Sequence, residues 1–302
     1  MIAVGIDVGG TKIEAQVFDA AWKCADKLRL DTPNTYEQLV EAICQAIEWA
    51  DLQSSDLPIG IGAAGLIARE TGQAVTANLP AFGKPLSVDI VKAAGRYVTY
   101  VNDCRAFTLS EAVFGSAKRY KRVVGLILGT GIGGGFAYEG KLLSDGASVG
   151  GEFGHIFAPA HLVQKYDLPI VTCGCGKVGC IETLVSGPGL TRVAEAITGR
   201  AFVPRDIDQL RNTDRDAAKV WKVWCALVSE LCLAIDYTIN PNVIVLGGGL
   251  SNMTKVIRDL SVQMATNQFD GFQPPLLLLA QGGASSGARG AAYAALQDRC
   301  RD

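Results

Sequence analysis

The sequence lacks any uninterrupted apolar run approaching the roughly 20 residues that a transmembrane helix requires. It also carries little charge: 19% of its residues are Asp, Glu, Lys or Arg, and the net charge is -2. Such a balance provides no general attraction for nucleic acids or anionic membranes. The basic cluster Lys118–Arg122 is expected to be a solvated helix end or loop. Membrane and nucleic-acid partners are therefore excluded from the predicted function.

A low-complexity linker and an export signal are also missing. Hydrophobic residues make up 49% of the 302 residues, which is typical of a globular protein of about two domains. Residues 1–7 have no basic n-region, so no signal peptide is predicted. Nine cysteines without an export signal fit the reducing cytoplasm. Six of them show no ligand spacing and are interpreted mostly as small core residues: Cys24, Cys44, Cys104, Cys225, Cys232 and Cys300.

The other three cysteines are the most informative feature of the sequence. Cys173, Cys175 and Cys180 lie close together among glycines, and His155 precedes them. One imidazole and three thiolates form the ligand set of a closed tetrahedral zinc site, and glycines allow the tight turns that such a site needs. Packed or disulfide-linked cysteines are the alternative.

Apolar runs alternating with amphipathic segments predict an α/β protein. Predicted strands cover 2–7, 13–18, 59–62, 98–101, 123–128, 135–138, 243–246 and 276–279. Predicted helices cover 36–50, 106–114, 215–239, 252–268 and 288–296. A strand, a glycine turn and a second strand occur twice, around Asp7 and around Gly129, which hints at two related halves.

Three glycine-rich turns follow apolar strands, and together they favour phosphate binding. They contain Asp7, Gly9, Gly10, Thr11 and Lys12; Gly129, Thr130, Gly131 and Gly133; and Gly247, Gly248 and Gly249. Backbone N–H groups of such turns converge on phosphate oxygens, while Thr11 can donate, Lys12 can neutralise charge and Asp7 can orient a Mg²⁺-bound water. The spacing is not that of a P-loop, and a strand after the second turn disfavours a Rossmann motif. Each turn alone is equally consistent with an ordinary hairpin.

Asn102-Asp103 ends a predicted strand, where a carboxylate can project while the backbone stays fixed. Phosphoryl transfer requires a base for the attacking hydroxyl, and Asp103 is the candidate. Asn102 and Asn78 are candidate partners for hydroxyls, and Glu152, His155 and Glu182 bracket the predicted zinc site. A zinc-bound His155 would keep one ring nitrogen for substrate. An isolated Asn-Asp pair is otherwise usually a turn.

These segments together resemble the ROK family of sugar kinases and sugar-responsive repressors over essentially the whole chain. The similar segments are 7–12, 102–103, 128–135, 151–155, 173–182 and 289–292. The resemblance implies an actin-like ATPase (ribonuclease H-like) fold, with ATP and sugar in a cleft between two α/β domains. The domains would be 1–117, joined by a C-terminal helix over 286–302, and 118–285.

The resemblance also implies roles for individual residues. Asp103 would be the catalytic base, and Gly247–Gly249 would lie near the adenosine. Structural zinc would be held by His155, Cys173, Cys175 and Cys180. Sugar would be held by Gly65, Asn78, Asn102, Asp103, Glu152, His155 and Glu182.

Within the family, segments 77–86, 152–155 and 245–252 look most like those of bacterial N-acetylglucosamine kinases, followed by fructokinases and glucokinases. Three positions depart from the common pattern. Arg105 follows the presumed base where relatives often have Asn, Ala64 precedes Gly65 where proline is frequent, and Ala284 stands where aspartate is common.

The resulting hypothesis is an ATP- and Mg²⁺-dependent cytoplasmic kinase acting on the 6-hydroxyl of N-acetylglucosamine, with fructose, glucose or mannose as alternative substrates. A sugar-sensing repressor would need a helix-turn-helix ahead of the loop that begins at residue 7. A non-catalytic actin-like binding module is the other rival. The resemblance suggests a homodimer, although no apolar stripe in the sequence indicates one.

Overall fold

The computed structural model describes residues 1–68, 70–143 and 149–300, apart from the side chain of Ala284. The strands are β1 (Ala3–Val8), β2 (Lys12–Phe18), β3 (Cys24–Asp31), β4 (Ile59–Ala63), β5 (Leu66–Ile67), β6 (Ala74–Val75), β7 (Thr99–Asn102), β8 (Arg122–Leu128), β9 (Ile132–Tyr138), β10 (Lys141–Leu142), β11 (Val243–Gly247) and β12 (Leu276–Leu279). The α-helices are α1 (Tyr36–Gln53), α2 (Leu86–Ala94), α3 (Asp103–Val113), α4 (Ala160–Tyr166), α5 (Glu182–Val185), α6 (Gly187–Thr198), α7 (Pro204–Leu210), α8 (Arg215–Ile239), α9 (Val256–Asn267) and α10 (Ser286–Arg299).

The first sheet has the order β3-β2-β1-β4-β7. Two antiparallel hairpins join β1, β2 and β3, while β1, β4 and β7 run parallel. Alternation along β1 sends Ile6 into a core shared with Ile43 of α1 and Ile90 of α2. The opposite face carries Gly5, and a Cβ there would collide with the backbone of Ala288 in α10. Glycine in the strand therefore permits the close approach of a helix.

The second sheet repeats that order as β10-β9-β8-β11-β12. Its parallel strands are β8, β11 and β12. β8 and β11 are apolar and almost wholly buried, as strands covered by helices are, whereas Leu276 and Leu279 of β12 are exposed. The longest helix, α8, buries Trp224 and Leu227. Asp214 caps the start of α8 by accepting from the backbone N–H groups of Asp216 and Ala217. The predicted pattern of two related α/β halves is confirmed by the matching strand orders.

Contacts between Cα positions divide the chain into two compact units. The first unit comprises 1–119, 135–150 and 281–302, and the second comprises 120–134 and 151–280. Segment 135–150, placed by the sequence in the second domain, groups with the first unit, as does α10. The last two residues of the predicted helix 286–302 lie outside the described residues.

Several predicted elements shift at their ends, for identifiable reasons. The helix predicted from 106 begins at Asp103, because the Asn102 side chain caps it. The helix predicted over 252–268 begins at Val256, after a 3₁₀ turn at Gly249–Asn252 and Lys255 with φ of 61°. Among the described residues, no helix combines the length and apolarity needed to cross a membrane.

The prediction that most of the six unassigned cysteines are core residues is wrong. Only Cys225 and Cys232 are buried. Cys24 and Cys300 are exposed, whereas Cys44 and Cys104 are intermediate.

Candidate active site and metal centre

The first glycine turn lies between β1 and β2 and is shaped by close packing. The Gly9 N–H donates to the Lys12 carbonyl over 2.9 Å, which closes the hairpin. A Cβ on Gly10 would stand 2.9 Å from the carbonyl oxygen of Asn78, so this turn and Asn78 are neighbours in the first unit. Thr11 and Asn78 are both exposed. The turn thus presents backbone N–H groups and a hydroxyl to solvent, as a phosphate site requires.

Lys12 is held by an acid that the sequence reading did not single out. Its Nζ lies 3.3 Å from Oε2 of Glu14, and Oε1 of Glu14 accepts from Nε2 of Gln16 over 2.6 Å. Glu14 is only 7% exposed. Burial opposes ionisation, but the bonds from Gln16 and Lys12 outweigh it and lower the pKa of Glu14. The sequence signal that could have identified Glu14 is the polar residue at every second position of β2, namely Lys12, Glu14 and Gln16.

Asp7, the penultimate residue of β1, lies beside the start of α10. A Cβ on Gly287 would be 3.1 Å from Cγ of Asp7, so the carboxyl group lies against the first turn of that helix. A helix N-terminus favours negative charge. Burial and the nearby carboxylate of Asp103 nevertheless raise the pKa of Asp7 to about 6. Two acids within electrostatic range of each other in a partly buried site form a suitable place for a cation.

Asn102 and Asp103 form the most constrained part of the first unit. Oδ1 of Asn102 accepts from the N–H groups of Cys104 and Arg105, at 3.0 and 3.2 Å. Its Nδ2 donates to the Gly65 carbonyl and to Oδ1 of Asp103, each over 2.9 Å. Gly65 has φ of 98°, and a Cβ there would meet the Val75 carbonyl at 2.5 Å. One amide therefore fixes the helix start, the Gly65 loop and the Asp103 carboxylate together.

The Asp103 carboxylate combines partial burial with a shifted pKa. It is half-buried, and burial raises its pKa, although hydrogen bonds from Cys104 and Asn102 oppose the shift. A raised pKa brings a carboxylate closer to neutral pH, where proton acceptance from a hydroxyl is more favourable. Within the first unit the structure thus brings Asp7, Gly65, Asn102 and Asp103 into one neighbourhood, with Asn78 beside the first turn.

In the second unit, Glu152, His155 and Glu182 surround the cysteine cluster. His155 directs Nδ1 towards Cys173 Sγ at 3.7 Å, and its Nε2 lies 3.6 Å from Oε2 of Glu152. Glu182 accepts from the Ile132 N–H over 2.7 Å, and its Oε1 lies 3.6 Å from Cys173 Sγ. The predicted sugar-binding residues of this unit therefore lie together.

The cluster itself fits a tetrahedral metal site. The ligand atoms of His155, Cys173, Cys175 and Cys180 all lie within 4.8 Å of one another. Sγ of Cys175 and Sγ of Cys180 are 3.6 Å apart, and all three cysteines are free. Zn–S bonds of about 2.3 Å imply edges of roughly 3.5–3.8 Å between ligand atoms. The distances of 3.7 Å from Cys173 Sγ to His155 Nδ1 and 3.6 Å between Cys175 and Cys180 match such edges.

The electrostatics of the cluster also fit a cation. Burial raises the pKa of the Cys180 thiol to about 12, and the neighbouring Cys175 adds to the shift. Burial likewise raises the pKa of Cys173, whereas the hydrogen bond from the Lys177 N–H and those from the other two thiols lower the pKa of Cys175. Two of the three thiols therefore resist ionisation on their own, and a bound cation reverses that preference. The donor set of one imidazole and three sulfurs suits zinc among the common metals.

The second and third glycine turns line one cavity of the second unit, with a volume of ≈ 520 Å³. Gly129, Thr130 and Gly249 contribute to its wall, together with Arg205 and Asp208 of α7. This size is typical of small-molecule sites. Sequence reasoning missed Arg205 and Asp208, whose only sequence signal was a proline at the start of a short helix.

The third turn is shaped for close packing. Gly248 has φ of 82°, and a Cβ there would overlap the backbone of Leu128. The predicted site residues are thus distributed between the units: Asp7 to Lys12, Gly65, Asn78, Asn102 and Asp103 belong to the first, and the remainder to the second.

Comparison with known proteins identifies the family. The ROK family model matches residues 3–298. The chain belongs to the ROK family. It is 38% identical over 292 residues to the N-acetylgalactosamine kinase AgaK of Shewanella sp. ANA-3, covering 95% of this chain and 94% of that one. It is 36% identical over 300 residues to an N-acetyl-D-glucosamine kinase of Salmonella typhimurium, covering 97% and 99%.

Solved structures agree with that assignment. A ROK hexokinase from Thermus thermophilus superimposes with a TM-score of 0.86 at 30% identity, with full coverage of both chains. A ROK family glucokinase from Streptomyces griseus, in complex with glucose and AMPPNP, gives a TM-score of 0.76 at 27% identity, covering 98% of this chain and 100% of that one. The fold of this ROK chain is therefore the predicted actin-like ATPase fold.

Proposed function

We propose that this ROK protein is an ATP-dependent sugar kinase that phosphorylates the 6-hydroxyl of N-acetyl-D-glucosamine. The observation that carries the proposal is the fixed Asp103 carboxylate at the start of α3, held by Asn102 and having a raised pKa. The relatives named as N-acetylhexosamine kinases support the substrate class.

In this mechanism the oxygen of the sugar hydroxyl attacks the γ-phosphorus. Asp103 accepts the proton that this hydroxyl loses. The bond from that phosphorus to the β,γ-bridging oxygen breaks, and ADP leaves. Asn102 keeps the carboxylate oriented by donating to its Oδ1. Gly65 and Asn78, with Glu152, His155 and Glu182 of the second unit, are proposed to hold the sugar.

The glycine turns are proposed to hold the nucleotide. Gly9, Gly10, Thr11 and Lys12 would contact phosphate oxygens, as would Gly129, Thr130, Gly131 and Gly133. Gly247, Gly248 and Gly249 would lie beside the adenosine, next to the cavity of the second unit. Bound Mg²⁺ would neutralise charge that develops on the phosphates, and Asp7 is the residue suited to hold its water.

The cysteine cluster is proposed to hold one structural zinc ion through His155, Cys173, Cys175 and Cys180. With Nδ1 of His155 facing the sulfurs, Nε2 is left facing Glu152 and can donate to a sugar hydroxyl. Zinc would thereby fix the orientation of a sugar-binding residue. A cytoplasmic location stays a prediction, as does a homodimer, which the mass of the purified protein in solution would test.

The deciding experiment is an ADP-release assay with ATP and Mg²⁺ across N-acetylglucosamine, N-acetylgalactosamine, N-acetylmannosamine, glucose, fructose and mannose. We expect the highest kcat/KM for N-acetylglucosamine, and ³¹P–¹H correlation in the product should locate the phosphate on O6. A higher kcat/KM for N-acetylgalactosamine, the C4 epimer of N-acetylglucosamine, would make N-acetylgalactosamine the proposed substrate. Absence of turnover with every sugar would refute the kinase function and favour the sugar-sensing regulator.

A further inference from the structure

The chain passes between the two units four times, at 119/120, 134/135, 150/151 and 280/281. On the side of the first unit, segments next to all four passages contact a single helix, α3. The helix begins with Asp103, the base of the proposed function, on which this inference rests. The contacts with the four passages are made by residues at the two ends of α3.

The first turn of α3 holds two of the passages. Arg105 is completely buried, and its Nε donates to the Gly150 carbonyl over 3.0 Å. Gly135 lies so close to the helix that a Cβ would be 2.8 Å from Oγ1 of Thr108 and 3.1 Å from Cα of Arg105. The passages at 134/135 and 150/151 therefore both rest on the Arg105–Thr108 segment.

The last turn of α3 holds the other two passages through Glu111, which is completely buried. Its Oε1 accepts from the Gly282 N–H at 2.6 Å and from the Ser286 hydroxyl at 3.1 Å. Its Oε2 accepts from the N–H groups of Gln281 and Ser116, each at 3.1 Å. One buried carboxylate thus gathers the chain just before the 119/120 passage and just after the 280/281 passage.

We propose that Glu111 is a positioning residue that fixes all four passages to α3 as one body and thereby sets the position of Asp103. Asp103 and Glu111 are separated by two helical turns, roughly 12 Å along the axis. A helix of that length transmits displacement as a rigid rod. Without the Glu111 carboxylate, the N–H groups of Ser116, Gln281 and Gly282 would lose their acceptor. Because unpaired buried N–H groups destabilise the local structure, the segments at the passages would become more mobile together.

The first test is hydrogen exchange in the free protein, comparing wild type with Glu111→Gln. An amide in place of Oε1 or Oε2 presents a donor to N–H donors, so residues 281–286 should exchange at least about tenfold faster. The decisive region is 149–151, where the Gly150 carbonyl accepts from Nε of Arg105. We expect faster exchange there too. Acceleration confined to 114–117 and 281–286 would overturn the proposal, because it would show a purely local role.

The second test separates catalysis from binding. Glu111→Gln should lower kcat by about 10–100-fold through misplacement of Asp103, while sugar affinity measured by calorimetry changes less than about threefold. The matched control is Asp89→Asn, which removes the acceptor of the Tyr36 hydroxyl at 2.6 Å within the same unit, far along the chain from every passage. Unchanged kcat in Glu111→Gln would overturn the positioning role.

If Glu111→Gln does not fold, Arg105→Met provides the reverse experiment, since it leaves the Glu111 carboxylate in place. Faster exchange at 281–286 in that variant supports coupling through α3, and unchanged exchange there overturns it. Exchange is measured without substrate. Failure of the kinase proposal, seen as no sugar turnover by the wild type, is therefore distinguishable from failure of this inference.

Discussion

The two glycine turns that follow β1 and β8 occupy equivalent places in sheets of the same strand order, yet they differ in charge. The first carries Asp7 and Lys12, with Glu14 paired to the lysine. The second, residues 129–135, is uncharged, and the carboxylate of Glu182 closes it by accepting from the Ile132 N–H. Two sheets of the same strand order thus carry a charged glycine turn in one unit and an uncharged turn, next to the cysteine cluster, in the other.

The largest expected effect is on the charged side of this comparison. Asp103→Asn should lower kcat by about 10²–10⁴-fold, because the amide cannot accept the hydroxyl proton. Sugar binding measured by calorimetry should persist. Asp298→Asn is the control, since that carboxylate accepts at 2.9 Å from the hydroxyl of Thr99, at the opposite end of β7 from Asn102. Wild-type turnover in Asp103→Asn would assign the base elsewhere.

The next effect tests the uncharged side, where the proposed zinc site lies. Cys175→Ser should eliminate stoichiometric zinc, which elemental analysis of the purified protein measures directly, and should lower the unfolding temperature. Cys24→Ser is a matched control, because Cys24 is an exposed thiol on β3. Wild-type protein purified without any bound metal would contradict the zinc proposal.

A smaller effect concerns the brace between the neutral turn and the cysteine cluster. Glu182→Gln replaces a carboxylate that accepts from Ile132 with a neutral group, and should reduce the free energy of unfolding by about 1.5–3 kcal/mol. Denaturant titration of the apo protein measures this loss. Glu230→Gln on α8, where the carboxylate accepts from Asn267 at 3.2 Å, should have little effect. Equal stabilities of both variants would show that Glu182 does not brace the turn.

The smallest expected effect is the pH dependence that Asp7 confers on stability. The pKa of Asp7 is about 6 in the folded protein against an ordinary 3.8, so the folded state binds more protons between these values. The contribution of Asp7 to the free energy of unfolding is therefore greatest below pH 3.8, and it is lost as the pH rises through 6. Asp7→Asn should stabilise the apo protein at pH 7.5 by on the order of 1 kcal/mol after screening by solvent, while impairing turnover.

Thermal unfolding of Asp7→Asn and wild type at pH 4 and pH 7.5 measures this difference. We expect the variant to gain stability only at the higher pH. An equal gain at both pH values would mean that the Asp7 charge is not the cause.

Sequence reasoning predicted the strands and helices whose signal is local. The apolar runs at β8 and β11 and the long amphipathic helix α8 agree with the structure because burial alone dictates them. Strand β3 was missed because it is mostly exposed and its apolar alternation is confined to Leu28 and Leu30. The short helices α4 and α7 were missed because their signal is confined to one or two turns.

Site residues followed the same rule. The cysteine cluster and Asn102-Asp103 were predictable, since neighbouring residues carry the chemistry. Glu111 and Arg105 acquire their roles only from residues distant along the chain, such as Gly282 and Gly150. No local sequence pattern predicts a contact such as that between Glu111 and Gly282, which are 171 positions apart in the chain.

The packing of α10 onto β1 has a consequence for biosynthesis. Gly5 and Ala288 touch so closely that neither surface is complete without the other, yet they are made at opposite ends of translation. During synthesis the first sheet leaves the ribosome with the face that carries Gly5 uncovered until α10 has been made. The second unit, whose segments all precede residue 281, can fold while that face is still exposed to chaperones.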